Sequence, residues 1–357
     1  MDENVAPSLQ SRTVSLLDDL ETINGYFRDH AWTDGLPIIP PTEARIARML
    51  GGTQQDPAKV IGRVPIRYGQ ASVEVIAVNA VMAGCLPEYM PLLIAAVDAL
   101  CQPELNVHSL QATTSTAAVG AVVNGPVVHD LFINYQHNAL GCGHWSNATI
   151  GRALRLILTT VGGGIPGLVD MSTHGQPGKH TLCFAENEAA SPWEPLHVSR
   201  GFNLEDSTVT LFGFGGTIEI VDAASDTAEG LLTTIVRSMT IAGTYGDGDL
   251  LGGGEPLLVL CPEHAQLIAR DGYDRADIQK YIFENARLPL RVLSAKVADY
   301  IRDYRRKVNM DDVEADLRVA QNPDDIMVVV AGGDGAKSTF IPTWTGGTQA
   351  VSRRISL

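Results

Sequence analysis

The sequence is poor in aromatic residues, which make up 6% of its 357 positions, and it contains no basic tract. Its 26 Lys and Arg face 41 Asp and Glu, for a net charge of −15. Such a chain has no surface that tracks a phosphate backbone, which excludes nucleic acid as a partner. Cysteine is scarce: Cys85, Cys101, Cys142, Cys183 and Cys261 are odd in number, widely spaced, and form no CxxC pair. That pattern argues against a disulfide framework. Long apolar runs are missing too. The best stretches, 75–86 and 90–101, are interrupted by Gly84, Pro87, Glu88 and Asp98, so no membrane span is expected. The opening residues MDENVAPSLQSRT lack the basic and apolar regions of a signal peptide, and a cytoplasmic protein is expected. No GxGxxG follows the first strand, no HExxH occurs, and no pyridoxal phosphate or flavin motif is evident, so no cofactor is expected.

The chain does hold 45% hydrophobic residues and 35 glycines, a mix that suits an α/β enzyme with many tight turns. Helix periodicity covers 14–30, a short segment after the N-cap Thr42, 74–84, 148–163, 228–243, 276–287 and 294–308. Strand patterns cover 117–126, 180–187, 207–216, 255–264 and 325–335. Residues 1–60 read as a helical and extended arm. Residues 61–357 read as the α/β catalytic region, with a subdivision near 225. Alternating helices and strands suggest three pseudo-repeated α–β units around a central site, although any α/β chain alternates in this way.

The densest chemistry lies in 170–202, DMSTHGQPGKHTLCFAENEAASPWEPLHVSRGF. So many thiols, imidazoles and carboxylates are costly near a core unless paired or used. Cys183 sits in a strand, where Cys183 and Ala185 share one face and Phe184 and Glu186 the other. One reading makes Cys183 a thiolate nucleophile, His197 or His180 its base, and Glu186 or Glu188 the group that orients the histidine or activates water. The other makes Cys183 a small buried hydrophobe. A metal centre built from His174, His180, His197 and Glu186, holding a divalent ion such as zinc, is an alternative, but no compact ligand spacing supports it.

Three further segments carry chemistry. In NALGCGHWSNATIGR, Gly143 and its neighbours bring backbone close to Cys142, His144 and Trp145, and Ser146 or Asn147 can cap the helix that follows. A helix N-terminus there would favour an anion or a thiolate. AGGDGAKST resembles a phosphate loop but has Ala336 where a glycine must precede Lys337 and Ser338; its backbone can still hold an anion. GTYGDGDLLGGGEP (243–256) reads as a mobile lid. Cys261 lies beside Glu263 and His264 at a strand end, too close in sequence for spacing alone to decide a role.

The blocks TDGLPIIPPTEARIARML, VIAVNAVMAGCLPEYMP, SNATIGRALRLIL, PGKHTLCFAENEAASPWEPLHVSRGF and the glycine turn before FIP resemble a poorly characterised bacterial family associated with UGSC-type selenoprotein domains. The resemblance places Cys183, Glu186, Asn187, Glu188, Ser191, Pro192, Trp193, Glu194 and His197 in a signature block. The UGSC motif itself is not in this chain.

Together these features point to a cysteine-centred catabolic enzyme that cleaves a C–N, C–S or C–halogen bond in a small electrophilic molecule by hydrolysis or elimination. Cys142, Gly143, His144, Trp145, Asn147, Trp193, Lys337 and Ser338 would bind the substrate. The alternatives are a metal-dependent hydrolase or lyase and a non-catalytic binding subunit of a redox system. A homo-oligomer is expected.

Overall fold

Alternation along the strands decides the layering of this α/β protein. The computed structural model describes residues 9–240 and 253–356. In Thr208–Phe214, Val209 and Leu211 enter one apolar cluster while Phe212 and Phe214 enter another. Cys183–Ala185 splits the same way, with Cys183 and Ala185 on one side and Phe184 on the other. In the second half of the chain, Leu258 and Leu260 face one cluster, and Leu257 and Val259 the other. Successive side chains point to opposite faces, so each sheet is buried on both.

The result is four layers. Helices Val73–Ala83, Met90–Leu100 and Trp145–Thr160 cover the first sheet. The two sheets pack on each other through Val122, Phe184, Phe212, Val259, Val329 and Ile341. Helices Ala228–Met239, Pro262–Arg270 and Arg275–Asn285 cover the second sheet. Helix Ala295–Lys307 lies over a smaller cluster with Leu288 and Leu317. The expected arm holds helices Leu20–Asp29 and Glu43–Leu50, and its Ile38, Ile46, Met49 and Leu50 join the first core.

Both sheets have four strands and one direction pattern. The first runs Val351–Arg354, Thr208–Phe214, Ala118–Asn124, Cys183–Ala185, with only the last pair parallel. The second runs Ile218–Val221, Lys337–Ile341, Leu257–Leu260, Met327–Val330, again with only the last pair parallel. Each half of the chain gives its fourth strand to the other sheet. Ile218–Val221 follows Thr208–Phe214 yet joins the second sheet, and Val351–Arg354 follows Lys337–Ile341 yet joins the first. The sequence echoes this: Ser207-Thr208 before Gly215-Gly216-Thr217 recurs as Ser338-Thr339 before Gly346-Gly347-Thr348, at the same spacing. The correspondence is twofold, and three α–β units around a centre are not shown.

The parallel pairs end on one edge. Asn187, just past Cys183–Ala185, donates its N–H to the carbonyl of Val330 at 2.7 Å. Carboxyl ends of parallel strands are where α/β proteins place their chemistry, because the chain leaves the sheet there into loops. No helix among the described residues is long and apolar enough to cross a membrane.

Candidate active site at the carboxyl ends of the strands

Parallel register puts Val123 beside Ala185, so Asn124 and Glu186 leave the first sheet side by side. Glu186 is buried, and one carboxylate oxygen, Oε2, accepts from Asn124 Nδ2 at 2.7 Å and from the Leu196 N–H at 2.8 Å. The same Asn124 amide donates to Glu188 Oε1 at 3.0 Å, and the Gly125 N–H donates to that oxygen at 2.7 Å. Gly125 has φ +86°, and a Cβ there would lie 2.2 Å from the Asp206 carbonyl oxygen, so only glycine fits. His197, with no exposed surface, lies 3.3 Å by Nε2 from the carbonyl of Leu204. A carbonyl only accepts, so Nε2 carries the proton, and Nδ1 faces Glu188 Oε1 at 3.8 Å. Arg275, at the start of its helix, donates to the Glu194 carbonyl and holds Nη2 4.0 Å from Glu186 Oε1.

Half of this network is unpaired. Asn124 Oδ1, Glu186 Oε1, His197 Nδ1, and Nε and Nη1 of Arg275 are buried without a hydrogen-bond partner. A buried polar atom left unpaired costs roughly 1–3 kcal/mol, so several in one place make this cluster the candidate site. Burial raises the Glu186 carboxyl from 4.5 to about 7, against the hydrogen bonds from Leu196 and Asn124 and the charge of Arg275. A carboxyl that titrates near neutrality can both give and take a proton.

The structure divides the dense block 170–202. Glu186, Glu188 and His197 gather at the carboxyl end of Cys183–Ala185. His174, Lys179 and His180 lie before its amino end, around a cavity of about 640 Å³. The expected pairing of His180 with Cys183 and His197 is therefore corrected: His180 is on that cavity's wall and exposed. The metal set His174, His180, His197 and Glu186 is corrected for the same reason. Its members are split between the two ends, and among the described residues no three His, Cys, Asp or Glu side chains are arranged to hold an ion.

Cys183 is also corrected as a nucleophile. It packs in the first core, and burial, with Cys85 adding a smaller push, raises its thiol to about 12. Two residues in sequence separate it from Glu186, but the pleat turns it toward the helices.

The helix after Cys142 begins at Trp145, with His144 as N-cap residue, so neither Ser146 nor Asn147 caps it. Ser146 donates to the carbonyls of Leu131 and Phe132 instead. Asn147 clamps the loop by accepting from the Asn134 N–H at 2.8 Å and donating to the Asn134 carbonyl at 3.0 Å. Cys142 is exposed, Gly143 turns with φ +105°, and Trp145 donates through Nε1 to the Gly84 carbonyl at 2.8 Å. None of them joins the Glu186 cluster. Trp193 donates through Nε1 to the Tyr273 carbonyl at 3.0 Å and packs against the second core, two residues from where Arg275 begins its helix. Of the glycine-rich segment 243–256, residues 243–252 lie outside the described residues.

The turn before Lys337 is already filled. Glu263 Oε2 accepts from the Gly335 N–H at 2.9 Å and from the Ala336 N–H, so the donors expected to hold a substrate anion serve the protein's own carboxylate. Lys337 turns back to the Gly335 carbonyl at 3.0 Å. Ser338 instead joins a second cluster at the carboxyl end of Leu257–Leu260. Its Oγ lies 2.7 Å from His264 Nδ1, accepts from the Cys261 N–H at 3.2 Å, and lies 3.9 Å from Cys261 Sγ. His264 Nε2 donates to the Asp222 carbonyl at 2.9 Å. Burial raises the Cys261 thiol, but bonding to His264 outweighs it, and the net shift is downward. His264 shifts upward: burial lowers it, and contact with Cys261 and the Asp222 carbonyl outweighs that.

Sequence reasoning did not find Asn124 or Arg275. Asn124 carried a signal, a carboxamide closing the apolar strand AVGAVVN. Arg275 carried none, since tertiary packing alone brings it to Glu186. Compared with known proteins, the chain matches no protein-family model, no curated protein and no solved structure.

Proposed function

We propose that the protein is an enzyme that cleaves a C–N, C–S or C–halogen bond in a small molecule by hydrolysis or elimination, with Glu186 as its acid–base group. The observation that carries this reading is the unpaired Oε1 of a buried carboxyl raised to about 7, set among unpaired atoms of Arg275, His197 and Asn124. In hydrolysis, ionised Glu186 takes a proton from water as the oxygen adds to the electrophilic carbon. As the bond to carbon breaks, it gives that proton to the leaving nitrogen or sulfur, or to solvent where the leaving group is a halide ion, so the carboxylate is regenerated. Arg275 stabilises the negative charge that develops, in a site too dry for solvent to screen it. Asn124 fixes Glu186 and Glu188 relative to each other, and His197 offers Nδ1 as a second acceptor. Substrate is a small molecule, and the working form is read as a cytoplasmic homo-oligomer.

A panel of small amides, thioethers and haloacids incubated with wild type and with Glu186→Gln tests the reading. Loss of turnover by about 10²-fold or more in a folded variant supports it. Equal turnover overturns it. A second reading keeps the thiol mechanism but moves it to Cys261. It is favoured because Cys261 precedes a helix, is linked through Ser338 to His264, and has its thiol shifted downward. Cys261→Ala separates the two, since it abolishes turnover only in the second.

A further inference from the structure

The cavity at the amino end of Cys183–Ala185 is built around a charge imbalance. Arg155 on helix Trp145–Thr160 and Lys179 on the turn Pro177–Lys179 share one counter-ion, Asp170. Lys179 Nζ lies 2.7 Å from Asp170 Oδ2 and donates to Ser172 Oγ at 2.6 Å; Arg155 Nη2 lies 3.4 Å from Asp170 Oδ2. All three side chains are mostly buried, with 12%, 14% and 6% of Arg155, Lys179 and Asp170 exposed. Asp34, on the same wall, is bonded to Arg152 at 2.8 and 2.9 Å, and its charge also acts on Arg155, so the full group sets Arg152, Arg155 and Lys179 against Asp34 and Asp170. Three cations against two carboxylates leave a single uncompensated positive charge, which is costly beside mostly buried side chains unless an anion answers it.

A neutral donor points the same way. Gln176 accepts the Gly178 N–H through Oε1 at 2.7 Å, and its Nε2 is buried without a partner. His174 and His180 stand at the rim, and the volume of about 640 Å³ exceeds what a bare inorganic ion fills. A monoanion matches one positive charge, whereas a dianion would leave a buried negative charge unpaired.

We propose that this cavity is a second ligand site, separate from the Glu186 cluster, that takes the carboxylate of a small organic acid on Arg155 and Lys179, with Gln176 donating to it. The site goes beyond the acid–base reading and stands whether or not Glu186 is catalytic. The guanidinium and ammonium supply charge-assisted bonds, and the rim accommodates the body of the acid.

The test is calorimetric titration of the full chain with benzoate, its neutral isostere benzamide, and inorganic phosphate, at fixed pH and ionic strength. Saturable benzoate binding, at least tenfold tighter than benzamide or phosphate, is expected. Lys179→Gln should weaken benzoate at least tenfold. Because that variant also loosens Asp170, Gln176→Leu is measured beside it, with weakening of severalfold expected in a fully folded protein. Histidine NMR signals of His174 and His180, and not of His197, should move on binding. Absence of saturable benzoate binding overturns the proposal, as does equal affinity for benzamide. Phosphate binding tighter than benzoate overturns the ligand class. Benzoate affinity unchanged in both variants, or a shift at His197 alone, overturns the location.

Discussion

Replacing Glu186 by Gln should change how stability depends on pH more than it changes stability at any one pH. In the native protein burial holds this carboxyl at about 7, whereas the unfolded chain releases the proton near 4.5. Between those values the folded state binds more protons than the unfolded state, so stability falls as pH rises. The contribution is complete below pH 4.5 and is lost through pH 7. At about 1.4 kcal/mol per pH unit the whole span is worth about 3 kcal/mol. The sequence pI of 4.9 rules out work near pH 5, where the protein carries no net charge. By pH 5.5 roughly a third of the span is already spent, so about 2 kcal/mol remain between pH 5.5 and 8.5. Gln is close in shape and does not titrate. Urea unfolding followed by tryptophan fluorescence, run on both proteins across that range, should show Glu186→Gln gaining about 2 kcal/mol on wild type as pH rises. Two stability curves that stay parallel within about 0.5 kcal/mol would refute the buried, proton-holding carboxyl and the acid–base role with it.

Burial raises the thiols of Cys85 and Cys183 to about 12, so iodoacetamide at pH 8 should leave both unlabelled until the protein unfolds, as peptide mapping would read. Gly125→Ala puts a Cβ against the Asp206 carbonyl oxygen at a positive φ, and should cost about 2–4 kcal/mol, seen as a lowered thermal midpoint and loss of any turnover that needs Glu188 in place. Asp34→Asn breaks a buried pair with Arg152 and should cost about 3 kcal/mol at neutral pH. Burial raises that carboxyl, and bonding to Arg152 outweighs it, leaving it below 3.8. Its stabilisation is therefore present above pH 3.8 and lost as pH falls, and the deficit of the variant should shrink in acid unfolding curves.

The fold class was legible because the central strands are runs such as MVVV and TVTLFGF, and the helices repeat apolar residues at three and four. The pairing of strands was not. Nothing local in IEIV says that it leaves the strand before it to join the other sheet. Residue density singled out Glu186, Glu188 and His197, and the structure brings the three near one another because one short loop carries them. It misjudged Cys183, since counting ionisable groups ignores the pleat that sends neighbouring side chains to opposite faces. It also took 170–202 as one centre, when a three-residue strand, Cys183–Ala185, holds its two halves apart. Arg275 comes from a distant helix and was beyond any local pattern.

The exchanged fourth strands interlock the chain. A cut between Val221 and Ala228 would strip Ile218–Val221 from the sheet of the second fragment and Val351–Arg354 from the sheet of the first, so neither fragment could finish its own sheet alone. Each sheet is completed only when the other half has been synthesised. Val351–Arg354 closes a layer whose other three strands lie more than a hundred residues earlier in the sequence, so the first sheet keeps an open edge on Thr208–Phe214 until the second half of the chain has folded against it.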